Sequence, residues 1–316
     1  MMFDLFIQGI QMLVVLLLAP LLTGLVRRVK ARLLRRRGPS IIQPYRDLFR
    51  LMRKEAVLAD NASWLFRIAP YWIFATTWVA ASLVPTFATG LIFSWAADLI
   101  VIVALLGSAR FFLALAGLDI GTSFGGLGSS REVMIASLAE PALIMVVFTV
   151  AMIAGSTQLS TVSTFMLSPE VGLRVSLGLA LVALIIVAVA ENSRLPVDNP
   201  STHLEVTMIH EAMILEYSGR HLAVIEIASS LNLLLYVSLI SSIFFPWGLA
   251  DANAAPIDLL TGLVFYVFKL VLSGCLLATF ETSIAKMRVF RVPQFIGTAL
   301  MMALLAALLM FVTRSL

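Results

Sequence analysis

Acidic side chains occur in this chain where apolar sequence surrounds them. Five lie between Glu191 and Gly219, and others interrupt long apolar runs, together with one lysine. Charged groups in such runs are costly and normally face a cavity or a partner. Carboxyl groups whose pKa is raised by burial and by each other can relay protons. The candidate proton path comprises Glu140, Glu191, Asp198, Glu205, Glu211, Glu216, Glu226, Lys269 and Glu281.

Each of these residues also has a structural interpretation. Lys269 could form an ion pair with one carboxylate, and acids near the ends of apolar runs, such as Glu281 and Asp98, could simply be solvated. For His203 and His210, seven residues apart on one helical face, a plain surface helix is the simpler explanation. The number of acids on one side of the predicted membrane favours a functional role for the carboxylates.

Composition places the chain in a membrane and excludes several kinds of site. It is 60% hydrophobic and 13% charged, with a mean hydropathy of +1.01, far from the composition of soluble domains. The single cysteine, Cys275, shares no metal-type spacing with the three histidines, and His210-Glu211 fails as a zinc motif because residue 214 is Ile. We therefore expect no redox cofactor, metal or catalytic centre in this chain, and no nucleic-acid partner.

Eight apolar segments are long enough to cross a bilayer, which needs about 20 residues per helix. The sequence predicts a single all-α polytopic domain over residues 1–316. The predicted spans cover residues 3–26, 66–87, 94–116, 132–154, 172–191, 222–245, 257–281 and 293–313.

The basic residues alternate with these spans. Of the 22 Lys and Arg residues, 19 fall in or beside the odd-numbered loops, predicted over residues 27–65, 117–131, 191–221 and 282–292. The positive-inside rule assigns those loops to the cytoplasm. We therefore expect a multi-pass protein of the cytoplasmic (inner) membrane with both termini on the outer side.

The first cytoplasmic loop contains an amphipathic pattern. Between Gln43 and Glu55, a helix would place Tyr45, Leu48, Phe49 and Met52 on one face and basic residues elsewhere. Such a helix lies at a membrane interface. Anchoring to anionic lipid and docking of a soluble partner are both compatible with it.

Two other loops have distinctive sequences. Gly117–Glu132 holds five of the 18 glycines, which indicates a hinge or a close backbone approach, with Ser129 or Ser130 as the cap of the following helix. In the fifth loop, Pro200 fits the first position of a further helix.

Several motifs together resemble a known family. The chain is similar to the membrane subunit that anchors complex I to its quinone-reducing arm. It resembles more closely the homologue in membrane-bound group 4 nickel–iron hydrogenases, of the formate hydrogenlyase subunit 4 or hydrogenase-4 component C type. The resemblance covers about Leu25 to Arg291. The motifs that carry it are RRGPSIIQPYRDLFRLMRKE, AGLDIGTSFGGLGSSRE, AEP at 139–141, AENSRLPVDNP, LEYSG and FETSIAKMR.

This resemblance implies a subunit without a redox centre of its own. Hydrogenase large and small subunits and iron–sulfur subunits would lie on it, antiporter-like membrane subunits beside it, and the nickel–iron site and iron–sulfur clusters would be in those partners. Its part would be to couple electron transfer to proton or sodium movement. The basic docking segment of the family corresponds to Arg36, Arg37, Tyr45, Arg46 and Asp47.

Two alternatives remain. A quinone-reducing complex would place a quinone headgroup at the ends of the first, fifth and sixth spans, but its members characteristically read NRPPFD where this chain has NSRLPVD over Asn192–Asp198. A stand-alone secondary transporter is disfavoured because no internal repeat is visible and the large basic surface suits a partner.

Overall fold

The computed structural model is mostly helical and describes residues 2–168, 174–198, 208–251, 254–285, 287 and 291–315. The long helices in this part of the chain are α1 (Met2–Leu33), α3 (Trp64–Leu83), α4 (Leu99–Asp119), α5 (Ser123–Ala154), α7 (Val175–Glu191), α9 (Gly219–Phe244), α10 (Pro256–Ser283) and α11 (Val292–Ser315). The shorter ones are α2 (Gln43–Met52), α6 (Leu159–Met166) and α8 (His210–Ile214).

Six of the described helices are long and apolar enough to cross a membrane, namely α1, α4, α5, α9, α10 and α11. Helix α7 is apolar but shorter, with 17 residues, and α3 has 20 residues. Exposed apolar side chains such as Phe6, Phe111 and Leu276 remain on the outside of the bundle, as expected where lipid or a neighbouring subunit covers it. The prediction of a helical polytopic membrane protein is confirmed for these six helices.

Helix α9 lies at the centre of the bundle, in contact with α1, α3, α6, α7 and α10. Its side chains Leu231, Leu234 and Tyr236 are fully buried. Helix α5 packs against α4, α7 and α11. Because lipid is as apolar as these side chains, close packing and buried polar contacts hold such helices together.

The two ends of the bundle differ in charge. At one end, here called the basic end, α1 ends, α3 begins and α10 ends, and Ser63 N donates to Asp119 Oδ2 at 2.9 Å. At the other end, strand β1 (Ala88–Thr89) pairs in parallel with β2 (Ala250–Asp251). Asp98 is there too, and it caps α4 by accepting from Ile100 N at 2.7 Å and from the Thr157 hydroxyl. Its role in the described structure is structural.

The glycine-rich segment is helical rather than loose, which corrects the expected loop over residues 117–131. Helix α5 begins at Ser123, and its cap is Thr122, whose hydroxyl accepts from Gly125 N at 3.2 Å, not Ser129 or Ser130. A Cβ on Gly125 would lie 2.3 Å from the carbonyl oxygen of Gly117. The glycines therefore permit the close approach of α4 and α5. Of the two predicted interpretations, a hinge or a close backbone approach, the structure shows the second.

Two predicted loop helices have different outcomes. The helix predicted from Pro200, with His203 and Glu205, lies outside the described residues. The structure describes the chain again from residue 208, and helix α8, which begins at His210, has only five residues. Helix α2 lies within the predicted 43–55 segment, and Phe49 is exposed on it. Its position at a membrane surface stays a prediction.

Candidate functional site

One buried arginine, Arg110 in α4, faces three carboxylates. Its Nε lies 3.3 Å from Glu132 Oε1, and its Nη2 contacts Glu191 Oε2. The side chains of Arg110, Glu132 and Glu191 are at most 10% exposed. Glu140 Oε1 lies 3.9 Å from Nη1, which suits an ion pair but is too long for a hydrogen bond. With all groups ionised, this Arg110 cluster has two more negative charges than positive ones.

Three helices bring the Arg110 cluster together. Glu132 and Glu140 lie eight residues apart in α5, about two turns, and so face α4 from one side. Glu191 is the last residue of α7 and arrives from another. Glu140 also lies beside Gly107, one turn before Arg110, where a Cβ would be in ordinary contact with its Oε1 at 3.7 Å.

A second ion-pair cluster lies at the basic end. Glu281, at the end of α10, has a side chain that is 2% exposed and pairs with Lys30 at 2.9 Å and Arg194 at 3.3 Å. Burial lowers the pKa of the Arg194 guanidinium, and the charge of Glu281 opposes that shift. Arginine nevertheless keeps its charge in proteins, so Glu281 is neutralised from two sides.

Two cavities adjoin these clusters. The basic-end cavity, of about 340 Å³, is lined by Asp198, Glu211, Glu226 and Glu281 among others. The inner cavity, of about 80 Å³, lies beside Arg110, Glu132 and Glu191. The two share part of their lining and are therefore neighbours. The shared residues are Asn192, Ser193, His210, Ile225 and Ser229.

The structure places most of the predicted acidic residues around the two cavities, but not all of them. Asp198 is buried, and its Oδ2 accepts from Ile209 N at 3.2 Å. Glu211 and Glu226 face the same basic-end cavity. Glu216 is exposed beyond α8 and lines neither cavity, and Glu205 lies outside the described residues.

Lys269 is separated from the acids. Its Nζ donates to the Phe245 carbonyl at 2.7 Å and lies 4.6 Å from the centre of the Trp247 ring. Helix α9 ends just before Phe245, where carbonyl groups lack partners and favour a cation. Lys269 lines a third cavity, an apolar groove of about 710 Å³ between α7, α9 and α10. Within the described ranges it forms no ion pair with a carboxylate.

The predicted docking residues lie at the basic end, ahead of and within α2. Arg36, Arg37 and Arg46 are exposed, and Arg36 also lines the basic-end cavity. The Tyr45 hydroxyl donates to a backbone carbonyl of α1. Asp47 accepts hydrogen bonds from two side chains of its own helix at 3.1 Å. Tyr45 thus fixes the segment, while the arginines remain available to a partner.

Four residues of these clusters were not predicted as part of the site, namely Arg110, Glu132, Arg194 and Lys30. One signal was present: an arginine within an apolar span needs a carboxylate partner. Which carboxylates it would meet depends on how helices far apart in sequence pack. Lys30 and Arg194 gave no signal of this kind, because they resemble the other basic loop residues.

Glu211 gives a prediction about pH. Burial raises its pKa above the ordinary 4.5, Glu226 and Asp198 raise it further, and His210 and Arg27 oppose them. The folded state therefore binds this proton more tightly than the unfolded state, so stability falls as pH rises from about 4.5 through the raised pKa. We expect Glu211→Gln to raise the thermal unfolding midpoint at pH 8 and to flatten its pH dependence. Identical pH profiles for the variant and the parent protein would contradict this.

The fold and the site together define a class. Apolar helices surround buried acid–arginine clusters, and two neighbouring cavities, each lined in part by acidic residues, adjoin these clusters. This is the arrangement of a helical membrane protein with charged residues in its interior.

Comparison with known proteins identifies the family. The chain matches the NADH dehydrogenase family over residues 7–312. It is 34% identical to formate hydrogenlyase subunit 4 of Escherichia coli (strain K12) over 94% of this chain and 95% of that one. It is 34% identical to hydrogenase-4 component C of the same organism over 88% and 87%. One subunit of the NADH-quinone oxidoreductase of Rickettsia bellii (strain RML369-C) is 26% identical over 78% and 74%.

The chain therefore belongs to this family of membrane subunits of hydrogenase and complex I-like oxidoreductases, as the sequence motifs predicted. A solved structure shows the same fold. A chain of the membrane-bound sulfane sulfur reductase, an archaeal respiratory membrane complex, superposes with a TM-score of 0.79 at 19% identity, covering 96% of this chain and 99% of that one.

Proposed function

We propose that this chain is the membrane anchor and coupling subunit of a membrane-bound nickel–iron hydrogenase complex. It links electron transfer in a soluble arm to the movement of protons or sodium ions across the membrane. Identity to the two hydrogenase subunits exceeds that to the quinone oxidoreductase subunit. The observation that carries the coupling role is that the two neighbouring cavities are both lined by acidic residues.

In this proposal the two cavities form the first part of an ion path. It begins at the basic-end cavity, which Glu211 and Glu226 line, and continues to Glu191 and Arg110 beside the inner cavity. It ends at Glu140, whose side chain is 43% exposed on the side of the bundle. A charge change in a partner above the basic end would shift the proton affinity of the nearest carboxyls. Protons would then move between them in sequence.

The anchoring role rests on the basic end. In this proposal α3 and α7 also cross the membrane, giving eight spans, with the basic end in the cytoplasm and both termini outside. Hydrogenase large, small and iron–sulfur subunits dock at Arg36, Arg37 and α2, and antiporter-like subunits lie beside the bundle. The nickel–iron site and the iron–sulfur clusters are in those partners.

Purification of the complex through this subunit in mild detergent tests the assignment. Co-purifying iron–sulfur proteins together with nickel would support the hydrogenase function. Partners with bound quinone and without nickel would support the alternative below. Recovery of the subunit alone, under conditions that preserve membrane complexes, would contradict both.

The alternative is a quinone-reducing complex of the complex I type. The observation that favours it is the basic-end cavity, because about 340 Å³ lies within the size range of small-molecule sites. Arg27, Lys30 and Asp198 would supply polar contacts to a quinone headgroup there.

Glu140→Gln tests the path. We expect ion movement per turnover, measured with a pH-sensitive dye in sealed vesicles containing the complex, to fall roughly tenfold, because the amide cannot accept a proton. Assembly should be unaffected, since Glu140 makes no direct hydrogen bond to Arg110. Asp258→Asn, an exposed carboxylate at the other end of the bundle, is the matched control. Unchanged ion movement in Glu140→Gln would exclude Glu140 from the path.

A further inference from the structure

The apolar groove beside Lys269 plays no part in the proposed ion path. Helix α10 packs mainly against α1, and α7 mainly against α5 and α11, so the two helices leave a groove over α9 between them. Leu233 of α9 is buried at the floor of this groove, whereas Ile185 of α7 and Leu276 of α10 are exposed at its sides. The groove therefore opens on the outer surface of the bundle, where a membrane helix meets lipid.

The groove has the length of one lipid chain. Its lining runs from Leu233 to Phe245 along α9 and from Lys269 to Phe280 along α10. At about 1.5 Å per residue, these stretches are roughly 16–18 Å long. One leaflet fills about half of the hydrocarbon core of a bilayer, or roughly 15 Å. An extended acyl chain of one leaflet therefore fits along the groove.

Lys269 marks the end of the groove that lies nearest the membrane interface. Its Nζ donates to the carbonyl of Phe245, the residue that follows α9. The chain from Phe245 to Leu249 is not helical, and irregular backbone is not exposed to the hydrocarbon of a bilayer. Trp247 lies in this stretch and lines the groove, and tryptophan is enriched at membrane interfaces. A lipid headgroup would therefore lie at this end, with its acyl chain directed along α9 into the membrane.

This end of the groove has a positive charge without a counter-charge. The Lys269 side chain is 6% exposed, and the Trp247 ring, 4.6 Å from Nζ, favours its charged form. An ammonium group can donate three hydrogen bonds, and the Phe245 carbonyl accepts one of them. No carboxylate is among the described residues that line the groove. The other cation there, Arg194 at the far end, is paired with Glu281.

We propose that the groove binds an anionic glycerophospholipid, with its phosphate at Lys269 and one acyl chain over α9 between α7 and α10. The phosphate oxygens accept hydrogen bonds from the Lys269 ammonium, a point charge that suits phosphate. A zwitterionic phospholipid fits less well, because its own cationic group is repelled by Lys269. A quinone has the apolar tail but not the negative charge. The proposal does not depend on the ion path.

Photo-crosslinking in nanodiscs tests the lipid site. The native assembly, purified through this subunit, is reconstituted in phosphatidylcholine with a small fraction of phosphatidylglycerol that carries a diazirine in its acyl chain. We expect labelling within residues 181–189, 233–241 and 272–280, several-fold above that from phosphatidylcholine with the same diazirine chain. Equal labelling by the two probes would overturn the proposal. So would stronger labelling by a photoreactive quinone, or cross-links that place another subunit over Leu276 with no lipid label in the groove.

Two substitutions separate the charge from the shape of the groove. Lys269→Met removes the charge and keeps an apolar side chain, so labelling by the phosphatidylglycerol probe should fall several-fold, to the level of phosphatidylcholine. Lys269→Arg should retain the preference. An unchanged preference in Lys269→Met would overturn the proposal.

Filling the groove is the second test, and it leaves Lys269 in place. Ala188 of α7 lines the groove, so Ala188→Phe should reduce labelling there by both probes several-fold. Ala104→Phe is the matched control, because Ala104 is exposed on α4 and is not among the residues that line the groove. Labelling in Ala104→Phe should equal that of the parent protein. Full labelling in Ala188→Phe would place the bound lipid elsewhere and overturn the proposal, even if Lys269→Met does not assemble.

Discussion

Arg110→Leu is expected to reduce the amount of folded subunit in membranes to a small fraction of that of the parent protein. The substitution leaves Glu132 and Glu191 buried without their cation. Breaking a buried ion pair by removing one partner costs about 3–5 kcal/mol, a large part of the total stability of a domain. The measurement is the thermal midpoint and the yield of the subunit after mild solubilisation.

A second substitution, at Glu191, distinguishes an electrostatic role of Arg110 from a packing role. In Arg110→Leu/Glu191→Leu both members of one buried ion pair become apolar, and such replacements are often close to neutral. The double variant should therefore recover part of the lost stability, because Glu132 stays buried without its cation, while Glu191→Leu alone should not be neutral. The stability of Arg110→Lys should lie between that of the parent protein and that of Arg110→Leu. A lysine keeps the charge but lacks the guanidinium group that can contact several carboxylates at once.

A destabilisation that is equal in the single and the double variant would contradict this account. It would show that the volume and shape of Arg110, rather than its charge, hold α4 against α5 and α7. A double-mutant cycle of the parent protein, the two single variants and the double variant gives the coupling free energy between Arg110 and Glu191 directly.

Much of the fold could be predicted because lipid imposes a simple rule on sequence. Backbone polar groups in a bilayer must be satisfied within a helix, so long apolar runs mark helices whatever their neighbours are. The helix ends were less certain. Gly125 and Gly128 suggested a loop, but their missing side chains allow α5 to approach the backbone of Gly117 in α4 and of Ile209, the residue before α8. Composition alone could not separate flexibility from close packing.

The site was predicted in part, for a related reason. Glu140 and Glu191 stood out because a carboxylate in an apolar run needs an explanation. Lys269 stood out equally, but the structure places it on the Phe245 carbonyl at the end of α9. The sequence could not show this, because the helix end that Lys269 meets is fixed by packing.

Gly24 joins the membrane bundle to the docking segment. A Cβ at this position of α1 would lie 2.1 Å from the carbonyl oxygen of Ile41, far inside van der Waals contact, and 3.2 Å from its Cα. Ile41 lies two residues before α2. The Tyr45 hydroxyl also meets a backbone carbonyl of α1, that of Leu17. Helix α2 is thus held in place from two points on α1.

Gly24→Ala should displace this segment. The clash is with backbone, which cannot rotate away as a side chain can, so Ile41 and the start of α2 must move. Such overpacking costs about 1–3 kcal/mol, and the exposed Arg46 and its neighbours would no longer present the same surface. In the proposed complex we expect several-fold less of the soluble subunits to co-purify with the membrane part, measured by quantitative mass spectrometry of solubilised membranes.

Gly9→Ala is the matched control, because it makes the same substitution in the same helix. A Cβ on Gly9 meets nothing within 4 Å, and alanine favours the helix over glycine, so this variant should keep its partners and its stability. Full retention of the soluble subunits by Gly24→Ala would show that docking does not depend on the position of α2. Loss of the subunits in Gly24→Ala alone would connect the absence of one side chain within the membrane to the attachment of the soluble arm.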